Sequence, residues 1–479
     1  MQHLVKKQVI DITCSKRTDA FRMQQLVSKH YWQQLVPLLD KIFDEVSDEE
    51  EVILVKQLEV DLGFITEEEM SEARWNDDII SRIRNQLYEK IKGKEKDKST
   101  RHEAIRMSVC KQWLFYMQKG YLPWNVLHID EGWYYQVLET FASDFTAIAE
   151  LRKLIRQHPG VSRRIIEQHD EYFLIKLVEV LTAVSQRELA EMLEALAQLV
   201  FSHTILPILV QAKKKDELKR KIWNWVIELA ASAQDKPGPL QLIEEVLLLN
   251  TSQGDISRIM SVADPSSFTI ISPVVTKLHK KPELFSKDQL AVTKEKKKGE
   301  DKTETKTDTG IDEEGIFVSH AGVVLIHTFL TSVFKRLQLV RDSKFVDKMD
   351  QQKAIYILHY IASGKVIAEE HELVVPKVLC DWPVGMTVDK SVEITEDELN
   401  EADNMLQASI EQWPVLKNTS LAGLREAFLQ RKGKLFTKND KLHLQVEASS
   451  IDVLLDQLPW NLSMIKLPWM KAIFRVNWR

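Results

Sequence analysis

The sequence predicts a predominantly helical α+β protein, and three observations carry that expectation. Between residues 66 and 290 apolar side chains recur at the three- and four-residue spacing of amphipathic helices, while both ends of the chain alternate with the period of strands. A stretch over 294–314 with six lysines, eight acidic residues and Ile311 as its single large apolar side chain separates the two regimes. It cannot bury enough surface to offset its ordering entropy and is expected to be a disordered tether. The layout that follows is an N-terminal strand-helix-strand unit over 1–65, a central helical array over 66–290, a charged linker over 291–314 and a mixed α+β domain over 315–479. A chain of 479 residues exceeds what one core usually serves, so several domains are expected.

In the N-terminal unit, residues 4–13 alternate roughly between apolar and polar, and Val52, Leu54, Leu58, Val60 and Leu62 recur at even positions; both stretches read as strands. Between them Thr18 or Asp19 can cap a helix whose apolar face runs through Phe21, Val27, Tyr31, Leu35, Leu38 and Ile42. In the central region Ile79, Ile83, Leu87 and Ile91 form one helical stripe. Ser185-Gln186-Arg187-Glu188 has the spacing of a capping box ahead of Leu189, Met192, Leu193, Leu196 and Leu199. Pro123, Pro159, Pro207, Pro237 and Pro239 fall where loops between stacked helices are expected, so a packed array is favoured over one long rod.

Beyond the tether, Asp350 is placed to cap a helix that Gly364 ends. Thr395-Glu396-Asp397-Glu398 is a capping box for a helix that Pro414 terminates, and Ser420 caps a third. Residues 435–446 read as a hairpin turning at Asn439-Asp440, with Leu442, Leu444 and Val446 on one face. The chain closes with two copies of one tripeptide, Leu458-Pro459-Trp460 and Leu467-Pro468-Trp469, followed by alternating Ile473, Phe474, Val476 and Trp478. A related corner, Leu122-Pro123-Trp124, lies in the central region. Proline stiffens the backbone ahead of each indole and supplies no amide donor, so each Trp is aimed from a fixed corner. Trp is enriched both in cores and at interfaces, and these nine residues are candidates for either packing or partner docking.

No catalytic constellation is visible. Gly310-Ile311-Asp312-Glu313-Glu314-Gly315 has the glycine spacing of a phosphate loop, but Ile316 and Phe317 stand where Lys and Ser or Thr are required. His320 and His327 have no further metal-ligand motif beside them, so structural histidines are favoured and no metal or cofactor is expected. Cys14, Cys110 and Cys380 are far apart and free of any close pairing, which fits buried thiols in a reducing compartment. The 65 basic and 71 acidic residues leave a formal net charge of -6, against a nucleic-acid partner. The basic run of Lys213, Lys214, Lys215, Lys219, Arg220 and Lys221 leads straight into Ile222, Trp223 and Val226 and reads as the solvated face of a helix. No signal peptide is expected at the start, and no apolar run approaches the ~20 residues that span a bilayer.

Taken together, the motifs resemble the tape measure protein family of contractile injection systems, the phage-tail-like particles of bacteria. The resemblance is carried at the N-terminal end by His3-Leu4-Val5-Lys6-Lys7-Gln8-Val9-Ile10, by Leu58-Glu59-Val60-Asp61-Leu62-Gly63 and by Gly120-Tyr121-Leu122-Pro123-Trp124. Later come Ala321-Gly322 with Leu325-Ile326-His327 and Phe329-Leu330, then Glu372-Leu373 with Lys377-Val378-Leu379-Cys380. Asn418-Thr419-Ser420 with Leu424-Arg425-Glu426-Ala427-Phe428 and the two closing Leu-Pro-Trp corners complete the set. The resemblance implies a non-enzymatic assembly protein that sets inner-tube length and links the tube to the baseplate hub. Its implied partners are the inner-tube and baseplate hub or spike proteins, with self-association also possible. Its implied location is the bacterial cytoplasm and then the assembled particle. A cytosolic adapter or chaperone that leaves before the particle is finished, and a delivered effector, are the alternatives.

Limited proteolysis of the full chain is expected to cut first within 294–314 and to leave a fragment beginning near Gly315. A first cut elsewhere, with this stretch resistant, would contradict the tether.

Overall fold

A computed structural model describes residues 3–13, 20–46, 51–55, 58–61, 63, 77–92, 100–126, 129–203, 215–262, 268–285, 311 and 313–478. The expected tether, apart from Ile311, Glu313 and Glu314, lies outside the described residues, as do Cys14 and Pro207. The fold is α+β and mostly helical, and the chain divides into two compact units: residues 1–111 with 127–140, and residues 112–126 with 141–479.

In the first unit, α1 (Ala20–His30) continues through a π turn at Tyr31–Leu35 into α2 (Val36–Val46). Pro37 has no amide to donate back along the ladder, a sufficient cause for the wider turn just before it. Leu35 and Ile42 pack against Ile83 and Leu87 of α3 (Asp77–Lys92), with Leu38, Phe43, Ile53, Leu58 and Val60 around them. Tyr31, Leu35, Leu38 and Ile42 of the expected face meet this cluster, whereas Phe21 is exposed. Strand β1 (Glu51–Val55) is shorter than the expected one. It pairs antiparallel with β2 (Thr100–Ala104), Glu51 lying opposite Ala104. Residues 4–13, expected as a strand, are irregular chain with Val5, Val9, Ile10 and Ile12 exposed. Alternation there does not mark a buried face: among the described residues no strand pairs with this stretch.

In the second unit, the central helices are α4 (Ile105–Lys119, from Gln112 onward), α6 (Phe145–Gln157), α7 (Pro159–Gln168), α8 (Glu171–Thr182), α9 (Leu189–His203), α10 (Lys215–Ser232), α11 (Pro239–Asn250), α12 (Gln253–Val262) and α13 (Ser272–Lys280); α5 (Glu131–Ser143) enters it only at its end. Helix α10 is the axis of the array and touches α6, α7, α8, α9 and α11. It can do so because Leu218, Ile222, Trp223, Val226, Ile227, Ala230 and Ala231 are all buried, an apolar surface broad enough for several neighbours. Prolines 159 and 239 sit in the first turns of α7 and α11, where a missing amide costs nothing. Asp144 and Asp170 cap α6 and α8 by accepting from Thr146 N at 2.6 Å and Phe173 N at 2.8 Å. At the other poles, Arg152 donates to Leu181 O at 2.5 Å and Ala233 O at 2.8 Å, quenching carbonyls at the ends of α8 and α10.

One capping expectation is corrected. The hydroxyl of Ser185 turns back to Glu179 of α8 at 3.3 Å, and the amide of Gln186 donates to the same carboxylate at 3.0 Å. The turn before α9 is thus tied to the preceding helix instead of closing a box with Glu188.

The C-terminal part of this unit is built on a five-stranded mixed sheet in the order β3-β6-β7-β9-β8: β3 (Ile316–Val318), β6 (Gly433–Lys438), β7 (Lys441–Val446), β8 (Met464–Ile465) and β9 (Phe474–Asn477). A small separate ribbon joins β4 (Val340–Arg341) to β5 (Lys344–Phe345). The expected hairpin is present, with Asn439 at φ 50° and Asp440 at φ 55°, the left-handed pair that a tight two-residue turn requires. β9 runs parallel to β7 and places Phe474, Val476 and Trp478 inward at period two, with Ile473 exposed. Helices α14 (His327–Arg336), α15 (Lys348–Ser363), α16 (Val374–Leu379), α17 (Glu396–Gln412) and α18 (Leu421–Leu424) surround the core. Thr395 and Glu398 form the predicted capping box, Ser420 accepts from Gly423 N, and Gly364 ends α15 at φ 76°. The cap of α15 is Asp347, which accepts from the amide of Asp350 at 2.8 Å, so the helix starts one turn earlier than Asp350 suggested.

Two glycines are required where the domain begins. A side chain on Gly322 would lie 1.7 Å from the carbonyl oxygen of Phe428, so only glycine lets the 3-10 turn Ala321–Ile326 pass beneath the π turn Arg425–Leu429. Gly315, at φ 68°, faces Leu435 O with no space for a Cβ.

Buried His169 offers a test of the helical array. Its Nδ1 lies 2.8 Å from Ile165 O and its Nε2 accepts from the Trp113 indole at 3.0 Å, so one neutral tautomer satisfies both contacts. Burial pushes its pKa from 6.5 down to about 3. The unfolded chain then binds the extra proton first; the stability is complete above 6.5 and drains as pH falls toward 3. Urea unfolding is expected to show His169→Gln losing about 2 kcal/mol less than wild type between about pH 7 and pH 5. Equal losses in the two proteins would contradict a neutral His169.

Candidate functional site

Three arrangements in the second unit stand out: the Leu-Pro-Trp corners, a buried polar seam, and a cluster of two histidines and a glutamate.

The corners form because each proline turns the chain and leaves the following indole to be positioned by packing. Trp469 is only 8% exposed; its Nε1 donates to Leu379 O at 2.8 Å, and its ring lies 5.5 Å from Phe334 and 5.1 Å from Phe345. Trp460 is half-buried, donates to Leu325 O at 2.8 Å and meets Phe329 edge-on at 5.1 Å. Both indoles therefore brace α14, through Phe329 and Phe334, and each uses its one donor inside the protein. Leu467 is buried and Leu458 half-buried, whereas Pro459 and Pro468 are exposed, with Met464 and Ile473 exposed nearby in the chain. Leu122, Pro123 and Trp124 are half-buried, and Val126 N donates to Pro123 O at 3.0 Å to close that turn. The structure joins the two C-terminal corners through α14; the corner at Trp124 stands on another element.

The seam lies between the helical array and the C-terminal fold. Arg164 of α7 is almost fully buried, donating to Met117 O at 2.5 Å and also to Gly385 O. Gln168, one turn on, accepts from Tyr116 Oη at 3.0 Å and from the amide of Glu370 at 2.9 Å. Glu167 accepts from Lys390 N at 3.0 Å and faces Arg220 at 3.6 Å. Asp389 draws Arg220 and Arg163 to 3.6 and 3.9 Å. Lys377 is fully buried, bonded to Glu370 and donating to Val384 O at 3.1 Å. Burial pushes the pKa of both Arg164 and Lys377 down, and the Glu370 carboxylate opposes it in each case. The basic run noted in the sequence ends here and on its own neighbours: Lys215 and Lys219 pair with Glu194, Lys219 also with Glu171, and Lys221 with Glu217. Its described members are thus committed to acids of this chain.

The third arrangement was not read from the sequence. His320, His359 and Glu372 place potential ligand atoms within 4.8 Å of one another. His320 is held at φ 56° just before the 3-10 turn, His359 is in the last turn of α15, and Glu372 is in the 3-10 segment Glu370–Leu373. His327, the histidine first considered with His320, turns its Nδ1 to Val324 O at 3.0 Å and is not part of the group. Burial, then the neighbouring His359, pushes the pKa of His320 down to about 4. Cys380 is buried with its thiol pKa raised by burial, and Cys110 is also buried.

A profile of the family described as contractile injection system tape measure protein matches residues 2–478. The chain belongs to this family. Searches of curated proteins and of solved structures return no match. Membership in this structural family implies incorporation in a contractile injection particle. Among the described residues no helix is long and apolar enough to cross a membrane.

The inward indoles give a direct test. Trp469→Ala is expected to lower unfolding stability by about 3–5 kcal/mol through loss of a core side chain. Trp460→Phe, which keeps a ring but loses the donor to Leu325, should cost about 0.5–1.5 kcal/mol. Both are read from denaturant midpoints; a Trp469→Ala protein as stable as wild type would show that the indole packs nothing of consequence.

Proposed function

We propose that this tape measure family member sets inner-tube length with its central helices and links the tube to the baseplate hub through its C-terminal domain. The observation that carries the reading is the form of the central array: helices of 9 to 18 residues over 145–280, several opened by a proline. Such an array can be drawn out at its corners without breaking a helix. Extended at 1.5 Å per residue, the roughly 220 residues of the central region would reach about 330 Å, against about 50 Å when packed in layers about 10 Å apart. The packed array is the stored form and the particle lumen the place where it opens.

The docking face proposed for the hub is formed by the outward members of the C-terminal corners, Pro459 and Pro468, with Met464 and Ile473. Trp460 and Trp469 hold that face in position from within. Leu122, Pro123 and Trp124 are proposed to serve a second partner, the growing tube. Exposed prolines on rigid corners lose little conformational freedom on binding, which favours their use as contact points.

A second reading is favoured by the buried seam. If the array never leaves the C-terminal fold, the protein acts as a folded initiator at the hub and does not gauge length. Deleting α12 and α13, residues 253–280, removes the last helix pair and none of the seam. The gauge predicts tubes shorter by up to about 42 Å for these 28 residues at helical rise. Tubes of unchanged length, from a variant shown to be folded and incorporated, would overturn the gauge and leave the initiator.

A further inference from the structure

We propose that His320, His359 and Glu372 form a binding site for a divalent transition-metal ion, Zn²⁺ in the first instance, which cross-links three segments of the C-terminal domain. The argument starts with His359, whose side chain is fully buried. Its Nδ1 lies 3.1 Å from the carbonyl oxygen of Lys365, so this nitrogen carries the proton and donates it. The lone pair of Nε2 is then presented on the other side of the ring. There it meets no hydrogen-bond donor, and a Glu372 carboxylate oxygen stands 3.5 Å away.

Two electron pairs facing each other at that distance repel unless something positive lies between them, and the His359 side of the pair is fully buried. His320 adds a third: its Nδ1 is buried without a partner, and its ring centroid is 5.3 Å from that of His359 at 73°. The three groups thus bring potential ligand atoms within 4.8 Å of one another, and neither His359 Nε2 nor His320 Nδ1 has a hydrogen-bond partner. A carbonyl that fixes the distal N–H of a histidine is the usual outer support of a metal-bound imidazole.

The donor set also selects the ion. Two imidazoles and one carboxylate suit Zn²⁺, which binds nitrogen at about 2.0–2.1 Å and carboxylate oxygen at about 2.0–2.2 Å. Tetrahedral geometry with those bonds separates neighbouring ligand atoms by about 3.3 Å, so the 3.5 Å between His359 Nε2 and Glu372 requires almost no movement. Calcium and magnesium prefer an all-oxygen shell and are not served by two imidazoles. Glu372 is 25% exposed, so a water or a donor from another chain can reach the site to complete a four-ligand shell.

The left-handed backbone at His320 gains a reason as well. A non-glycine residue at φ 56° carries strain, and that strain persists where a side chain must be aimed. Here it turns the imidazole toward α15. A bound ion would tie the entry of the domain at His320 to the end of α15 and to the segment carrying Glu370, which sits on the polar seam.

The test uses the full chain, stripped with a chelator and dialysed, then equilibrated with Co²⁺ or Zn²⁺. The expected result is one ion per chain by elemental analysis. Co²⁺ should give the intense visible bands of a tetrahedral site, and Zn²⁺ should raise the thermal midpoint. Two variants keep the fold while removing donors. His320→Asn retains a residue that tolerates the left-handed backbone, and Glu372→Gln retains an acceptor for the Glu369 amide. Each is expected to lose the stoichiometric ion and the thermal shift, while His327→Ala keeps both. The proposal is overturned if the stripped wild type takes up no ion, or if His320→Asn and Glu372→Gln bind as the wild type does. It is equally overturned if Co²⁺ gives only the weak spectrum of a surface-bound aqua ion. In those cases a proton shared between His359 and Glu372 explains the cluster.

Discussion

The second unit depends on a small number of charges that have been taken out of water. Arg164 is the centre: a guanidinium almost without exposure, with α4 on one side and the 383–391 loop on the other, in reach of the Glu370 field. Burying such a group is unfavourable unless its donors find acceptors, and here they are backbone carbonyls at the end of a helix and in a loop, groups that would otherwise need partners of their own. The arrangement fixes position more than it adds stability. Apolar side chains can slide past one another with small loss, but a buried Arg that misses its carbonyl costs several kcal/mol. The orientation of the helical array on the C-terminal fold is therefore set at Arg164, Glu167 and Gln168, three residues on one turn of α7.

The same logic runs outward from Glu370. Its carboxylate neutralises Lys377, Lys377 reaches the Val384 carbonyl, and the amide of Glu370 is held by Gln168. Two residues on, Glu372 accepts from Glu369 N at 2.9 Å and faces the histidine cluster. The segment 369–372 thus joins the seam to the cluster. In the same unit, the indoles of Trp460 and Trp469 pack on α14 through Phe329 and Phe334 and donate to Leu325 O and Leu379 O. Core packing and polar anchoring meet on α16, which carries Lys377 of the seam and the Leu379 carbonyl that accepts from Trp469.

Much of this was legible in the sequence, and the parts that were not share one cause. Local signals were read well: the Thr395 box, the Ser420 cap, the Asn439-Asp440 turn, the C-cap at Gly364 and the alternation of β9 are all decided within a few residues. Residues 4–13 show the limit of that reading, since alternation describes a strand only when another strand lies beside it. The cap at Asp347 and the tie of Ser185 to Glu179 turned on which of two nearby polar groups competes better for an amide. The seam and the cluster were invisible for a plainer reason. The seam brings its members together across 221 and 223 residues of chain, and no spacing rule links Arg164 to Gly385 or Glu167 to Lys390. His320 was weighed only beside His327, its neighbour in sequence, and both read as structural; the fold sets it against His359.

The physical character of the seam bears on how a tape measure protein of this kind would work. An interface closed by apolar side chains alone resists opening, because each side returns hydrocarbon to water at about 25 cal/mol per Å². One closed by buried charges behaves differently: Arg164, Arg220, Glu167 and Asp389 regain hydration as they part, so opening loses specific geometry while recovering much of the desolvation cost. A polar seam thus combines a definite closed state with a modest cost of release. Within the array the balance is reversed, for α10 is enclosed by apolar neighbours on most of its length. On the proposed function the order of events follows from this contrast: the array leaves the C-terminal fold first, at the seam, and its helices separate only afterwards, where contacts with the tube replace those around α10.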